Sequence, residues 1–287
     1  MYPASFEYVA PATLEEALDT LGRYEDDAKV LAGGQSLIPP MKLRLAAPRA
    51  VVDINRLPGL DTLSADNGGL RIGALVRHRT CERSDLLGGR WGTLGAAAPL
   101  ISDPIIRNLG TVCGSLAHAD PQGDWGSVLL AMDAEVVAQG PDGTRTIPVR
   151  ELFEGPFETT LAPTEIITEV RVPDPGPDAG GTYLKLERKV GDFATVGVAV
   201  HLSMDDGRVG RAGIALTAVG PTNLRATAAE EALAGSELTD EAIREAGRLA
   251  AEAAQPYSDT RGSADYKRTV VRVFTERGLR TVREGAR

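Results

Sequence analysis

Apolar positions in the first 55 residues follow two rhythms. Leu14, Ala17, Leu18 and Leu21 have helical spacing and share one face. Thr13 and Glu16 stand at its start as a capping box, S/T-x-x-E, which predicts a helix running to about Tyr24. Residues 29–32 read as a short strand ended by Gly33-Gly34, and 50–54 as a second. Between them a helical stretch opens at Ser36, with Pro39 and Pro40 tolerable only in a first turn. These elements make a small α/β unit, helix–strand–helix–strand.

The rhythm changes at Leu60. Asn67-Gly68-Gly69 is a turn signal between two short alternating runs. Helical stretches are predicted over 80–87, 92–100 and 125–132. Strands over 135–138 and 146–149 flank Pro141-Asp142-Gly143 as a hairpin, and 166–172 is another strand. Residues 173–181, PDPGPDAGG, are the linker candidate. Beyond it 182–188, 195–204 and 209–219 read as strands, the last two joined at Asp205-Asp206-Gly207. Helices over 226–233, 240–254 and 264–279 follow. The third part is therefore α+β, three antiparallel strands and then helices. A chain of 287 residues is long for one core, and the boundaries fall at 1–55, 56–175 and 176–287.

Composition removes several function classes. With 31 Lys+Arg against 40 Asp+Glu, the formal charge is −9, which gives no broad attraction to nucleic-acid phosphates. The 43% apolar content is that of a folded chain. Two cysteines cannot supply the four thiolates an iron–sulfur cluster usually needs, so an electron-transfer role would require clusters on another chain. The N-terminus has no basic region followed by an apolar one, so no signal peptide is expected. No run approaches the roughly 18 continuous apolar residues of a membrane span. A cytoplasmic location is the expectation.

Two glycine-rich segments carry candidate chemistry. The first is Leu31-Ala32-Gly33-Gly34-Gln35-Ser36, directly after a strand. Glycines admit φ > 0 and let a ligand reach main-chain N–H groups, which in succession form an anion nest. Ser36 adds a hydroxyl donor. The same Gly-Gly pair also serves as a plain strand-to-helix turn. The second segment is Thr111-Val112-Cys113-Gly114-Ser115, read as part of a long irregular loop too polar for core packing. Asp124, just beyond it, is either a ligand acceptor or the N-cap of the following helix.

Together these segments resemble the FAD-binding medium subunit of the molybdenum hydroxylases, the family of carbon monoxide dehydrogenase and xanthine dehydrogenase flavoproteins. AGGQS at 32–36 and T-x-x-G-S at 111–115 carry the likeness. So do PFETTLAPTEIITEVRVP at 156–173, YLKLERKVGDFATVGVAV at 183–200 and DTRGSADYKRTVVRVFTERGL at 259–279. The resemblance implies a PCMH-type, vanillyl-alcohol-oxidase-like FAD domain of two subdomains plus a C-terminal α+β domain. It implies that Leu31, Ala32, Gly33, Gly34, Gln35 and Ser36 hold the FAD pyrophosphate, with Thr111, Gly114 and Ser115 completing the contacts. Ala117 would pack near the nucleotide and Asp124 would bind the adenosine side. Lys185 would stand near the flavin ring, and Phe193 would cover one ring face. The partners implied are a molybdopterin-binding large subunit and a [2Fe–2S] small subunit, as a dimer of heterotrimers. Electrons would leave FAD for NAD, oxygen or a quinone.

One departure stands out. The family's second segment is T-x-G-G, and here Cys113 replaces the first of the paired glycines. Either the backbone there accepts a Cβ or FAD binding is altered. A standalone flavoenzyme and a non-catalytic relative without FAD are the alternative readings. Cys81 and Cys113 read as space-filling residues. His118 is the histidine expected near the ligand, and Arg107 is expected to pair with a phosphate or with Asp103. The basic stretch 267–283 reads as a solvated helix face or one facing a partner.

Overall fold

A computed structural model describes residues 2–66 and 68–285. Its N-terminal part adds a strand the apolar pattern did not reveal, β1 (Glu7–Val9), three residues with little burial. Thr13 is extended (φ −129°, ψ 157°) and its hydroxyl accepts from the Glu16 N–H at 3.2 Å, so α1 (Leu14–Tyr24) starts where the capping box places it. The Glu16 carboxylate returns to the N–H of Ala12 at 2.8 Å. β2 (Ala28–Leu31), α2 (Ile38–Lys42) and β3 (Ala50–Asp53) complete the unit. The three strands form a parallel sheet in the order β1-β3-β2.

The second layer is antiparallel. β4 (Leu63–Asp66) and β5 (Gly69–Gly73) pair through Asp66 and Gly69, while Asn67 of the expected turn lies outside the described residues. α3 (His78–Arg83) and α4 (Gly92–Ala97) are shorter than the apolar pattern predicts. Each ends in a short 3-10 segment, Asp85–Leu87 and Ala98–Leu100. The segment expected to be an irregular loop is mostly helical. It contains α5 (Pro104–Leu109) and α6 (Val112–His118), followed by α7 (Asp124–Ala131). Small and hydroxylic residues conceal these helices because they cap and turn rather than form an apolar stripe. β6 (Glu135–Gly140) and β7 (Gly143–Pro148) make the predicted hairpin, a small β8 (Phe153–Gly155)–β9 (Glu158–Thr159) pair follows, and β10 (Ile166–Val172) returns to the sheet centre. The order is β4-β5-β10-β6-β7.

The connection to the third layer is shorter than the glycines suggest. β11 (Ala179–Leu186) already includes Gly180 and Gly181, which leaves 173–178 as the link. β12 (Val196–Asp205) and β13 (Arg208–Thr217) continue the sheet, and β14 (Leu224–Arg225) adds a fourth strand to the three expected. α8 (Thr227–Leu233), α9 (Asp240–Ala253) and α10 (Ala264–Gly285) cover one face. Alternation along β12 explains the layering. Val196, Val198, Val200 and Leu202 join the helical core with Ile243, Val271 and Leu279. Ala199, on the opposite face, joins the larger core that holds Trp91 and Trp125. The third sheet thus packs its second face on α4 and α7.

Candidate functional site

The first glycine turn leaves β2 and enters α2. Gly34 has φ +72°, the left-handed region that a β-carbon disfavours, and its carbonyl accepts from the Ile38 N–H at 2.9 Å. The Gln35 amide folds back onto the Gly33 carbonyl at 3.0 Å. Among the described residues, the N–H groups of Gly33, Gly34, Gln35 and Ser36 have no hydrogen-bond partner. Four successive free donors at a strand-to-helix turn are the groups from which an anion nest is made.

This turn lies against the second segment. A β-carbon on Gly33 would stand 2.3 Å from the Leu109 carbonyl oxygen and 2.7 Å from Gly110 Cα, so the two backbones touch with no side chain between them. Thr111 then caps α6, its hydroxyl accepting from the Gly114 N–H at 3.0 Å. Val112, Cys113 and Leu116 face the core, whereas Gly114, Ser115, Ala117 and His118 lie toward the surface. Cys113 is therefore helical and inward, beside the Ile72 carbonyl at 3.7 Å, and the backbone accepts its β-carbon without φ > 0. Burial pushes its thiol far above the ordinary range and that of Cys81 up to about 12.

Side chains outside both segments lace them together. Asn55 Nδ2 donates to the Ala32 carbonyl at 2.8 Å and to Asp53 at 2.6 Å. Arg77 donates to the Asn55 oxygen at 2.6 Å and, with its other terminal nitrogen, to the Leu109 carbonyl. The His78 N–H donates to the Gly110 carbonyl at 3.0 Å. Its ring accepts from Trp125 Nε1 at 2.9 Å through Nδ1, which fixes the ring hydrogen on Nε2. Burial, then Arg107 and Arg77, hold this imidazole neutral at about 4. Sequence reasoning missed Asn55, Arg77 and His78, since each stands a few residues past a strand with no motif around it. His118, the histidine expected at the site, sits on the outer side of α6 and packs on Phe157 with 5.1 Å between ring centroids. Arg107 pairs with Glu82 at 3.0 Å instead of a phosphate or Asp103, and Asp103 caps α5.

Farther along, α7 and β11 meet. Asp124 is the first residue of α7, with Gly123 as N-cap, so it is not the helix cap. Its carboxylate accepts from Lys185 Nζ at 2.9 Å and Tyr183 Oη at 2.6 Å. The Lys185 side chain is 2% exposed and also donates to the Leu100 carbonyl at 3.0 Å. Glu187 lies 3.6 Å from it, with a buried Oε2 that no described residue hydrogen-bonds. Tyr183 and Lys185 alternate onto one face of β11, and Glu187 follows just past its end. Burial raises Asp124, while Lys185 and Tyr183 oppose that rise; burial raises Tyr183 well above its ordinary range. One expectation needs correction here. Asp124 on the adenosine side and Lys185 at the flavin ring would stand at opposite ends of an extended FAD, yet they form one ion pair.

Phe193 is exposed, in the β11–β12 turn whose Gly191 lies against Ser102 and Asp103. Arg261 donates to its carbonyl at 2.9 Å. Lys267 is buried on Asp259 at 2.7 Å and the Tyr257 carbonyl at 3.0 Å, so it is no part of a solvated face. A cavity of about 490 Å³ lies apart from both glycine turns, lined by Asp66, Leu70, Arg71, Asp133, Glu135 and Asp174 among others. Among the described residues no helix is long and apolar enough to cross a membrane.

Comparisons with known proteins follow the same outline. A family model described as "FAD binding domain in molybdopterin dehydrogenase" matches residues 4–175, and "CO dehydrogenase flavoprotein C-terminal domain" matches 181–282. The carbon monoxide dehydrogenase medium chain of Hydrogenophaga pseudoflava is 40% identical over 279 residues, 97% of either chain. The nicotine 6-hydroxylase medium subunit of Paenarthrobacter nicotinovorans is 39% identical over 282 residues, 96% of this chain and 99% of that one. Among solved structures, carbon monoxide dehydrogenase from Hydrogenophaga pseudoflava, lacking the Mo-pyranopterin moiety of its cofactor, superposes with a TM-score of 0.94 at 42% identity over 98% of both chains.

Proposed function

This chain belongs to the FAD-binding flavoprotein subunits of the molybdenum hydroxylases, the family of carbon monoxide dehydrogenase medium chains and xanthine dehydrogenase FAD subunits, and from that premise we propose how it handles its cofactor and its electrons. The cofactor is FAD and the chain is an oxidoreductase subunit with a PCMH-type fold. Large and small partner subunits carry the molybdenum–pterin group and two [2Fe–2S] clusters, and the complex is a cytoplasmic dimer of heterotrimers. FAD supplies a carrier between those clusters and an external acceptor, NAD, oxygen or a quinone. The division into 1–55, 56–175 and 176–287 is kept as three working units, with the cofactor across all three.

The residues act by binding and electrostatics. The free N–H groups of Gly33, Gly34, Gln35 and Ser36 hold the pyrophosphate, and Thr111, Gly114 and Ser115 extend that cradle along the outer side of α6. Ala117 borders the nucleotide. Asp124 and Lys185 act together at the ring end. Asp124 fixes the ammonium, and with FAD bound the buried cation would favour negative charge at the ring. Phe193 covers a ring face from the β11–β12 turn.

The four N–H groups of residues 33–36, unpartnered among the described residues and with Gly33 against Gly110, carry this reading. Its test is the colour and affinity of the purified chain. The protein should be yellow and release FAD on denaturation. Gly34→Val should lower FAD affinity roughly five- to a hundredfold, since a β-branched residue at φ +72° costs roughly 1–3 kcal/mol. Unchanged affinity in that variant would reject the cradle. Reduction of the bound flavin by a small organic substrate, with no partner present, would favour a standalone enzyme.

A further inference from the structure

We propose that Asn55 and Arg77 form a clasp that sets the spacing of the two glycine segments, and that FAD affinity depends on the pair as a unit although neither residue belongs to either motif. The inference rests on the reading of those segments as the FAD cradle. Asn55 stands two residues beyond the end of β3 and Arg77 just before α3, so they come from different sheets. Each side chain reaches one segment and the other side chain. Asn55 donates to Ala32 in the first segment, Arg77 donates to Leu109 beside the second, and Arg77 donates to the Asn55 oxygen at 2.6 Å.

The orientation of the clasp is fixed from behind. Tyr8 Oη on β1 donates to Asp53 Oδ2 at 2.5 Å, and Asp53 Oδ1 accepts from the Asn55 N–H at 2.9 Å and from Nδ2. With Nδ2 on two oxygens, a flipped Asn55 amide would set its NH₂ against the Arg77 guanidinium, donor facing donor. Arg77 has both terminal nitrogens engaged with the protein, so Asn55 and Leu109 set where its guanidinium stands. The contact between Gly33 and the Leu109–Gly110 backbone shows why spacing matters. A gap there would move the hydroxyls of Thr111 and Ser115 away from the free N–H groups of the first segment. Asn55 is exposed, so its hydrogen bonds add little to global stability, and a variant should fold.

A double-mutant cycle on the full-length chain tests this, with FAD affinity and thermal unfolding of the apoprotein as readouts. Asn55→Ala and Arg77→Met should each weaken FAD binding about tenfold. The double variant should be no weaker than the worse single one, because either change opens the same clasp. The apoprotein unfolding temperature should stay near that of the parent. Additive losses, near a hundredfold, would mean that each residue contacts FAD by itself and would overturn the clasp. So would unchanged affinity in both single variants, or an affinity loss matched by a fallen unfolding temperature. Gly34→Val runs alongside as a control. If it too leaves affinity unchanged, the cradle reading fails; if it abolishes binding while the pair is additive, only the clasp does.

Discussion

At the scale of single residues, the site is built from groups that have given up their usual freedom. Lys185 is held by a carboxylate and a carbonyl, and Asp124 by a lysine and a tyrosine, in surroundings where an unpaired charge would be costly. The same burial acts on His78 and His201, each held at about 4. The sign follows from which state binds the proton first. The unfolded chain, with histidines near 6.5, takes up protons before the folded one, so this contribution is complete above pH 6.5. It is lost as pH falls from 6.5 toward 4, by on the order of 3 kcal/mol per histidine. The urea midpoint should drop across that window, and His201→Gln should remove part of the slope. An unchanged slope in that variant would show that carboxylates alone produce it. Residue identity singled out the glycines and Thr111 as candidates, and the family resemblance added Lys185. It could not expose Asn55 or Arg77, whose role lies in what they touch across the chain and in no local spacing.

Among elements, α6 is the most instructive. Its sequence, VCGSLAH, lacks an apolar stripe long enough to register as a helix, yet Thr111 caps it and three residues anchor it in the core. Local pattern located the long strands β10 and β12 closely because alternation over seven to ten residues is a strong signal. It missed β1 and β14, with three and two residues, since no periodicity can be read from so few positions. The helical setting of Cys113 reverses the concern raised by its replacement of a glycine. Cys113→Gly should lower unfolding stability by about 1–2 kcal/mol, through helix propensity and lost packing. FAD affinity in the variant should not improve, because the thiol points away from the cradle. Tighter binding on titration with FAD would contradict that placement.

For the molecule as a whole, the second and third sheets are joined by charge as well as by apolar contact. Asp133, two residues before β6, accepts from Arg211 of β13 at 2.8 Å and also pairs with Arg225. Arg225 continues to Glu230 of α8 at 2.8 Å, and Glu230 accepts from the Ile214 N–H at 2.7 Å. This chain of groups runs from the second layer into the third. Asp133→Ala should lower stability by about 1–2 kcal/mol, a partly screened value because the side chain is a third exposed. A thermal scan in which the midpoint does not move would mean that the apolar seam alone sets the coupling. Such long-range pairings, 78 and 92 residues apart in sequence, leave no local trace to read.

The Asp124–Lys185 pair also bears on where the molecule can be divided. Asp124 lies in the stretch matched as an FAD-binding domain, residues 4–175, and Lys185 in the stretch matched as a C-terminal domain, residues 181–282. A boundary recognised by inheritance therefore runs between an acid and its counter-ion. A fragment cut at the 173–178 link would retain the glycine turns but expose a carboxylate stripped of its cation and its tyrosine. Modularity in this chain belongs to its lineage, whereas its electrostatics recognise a single, indivisible object.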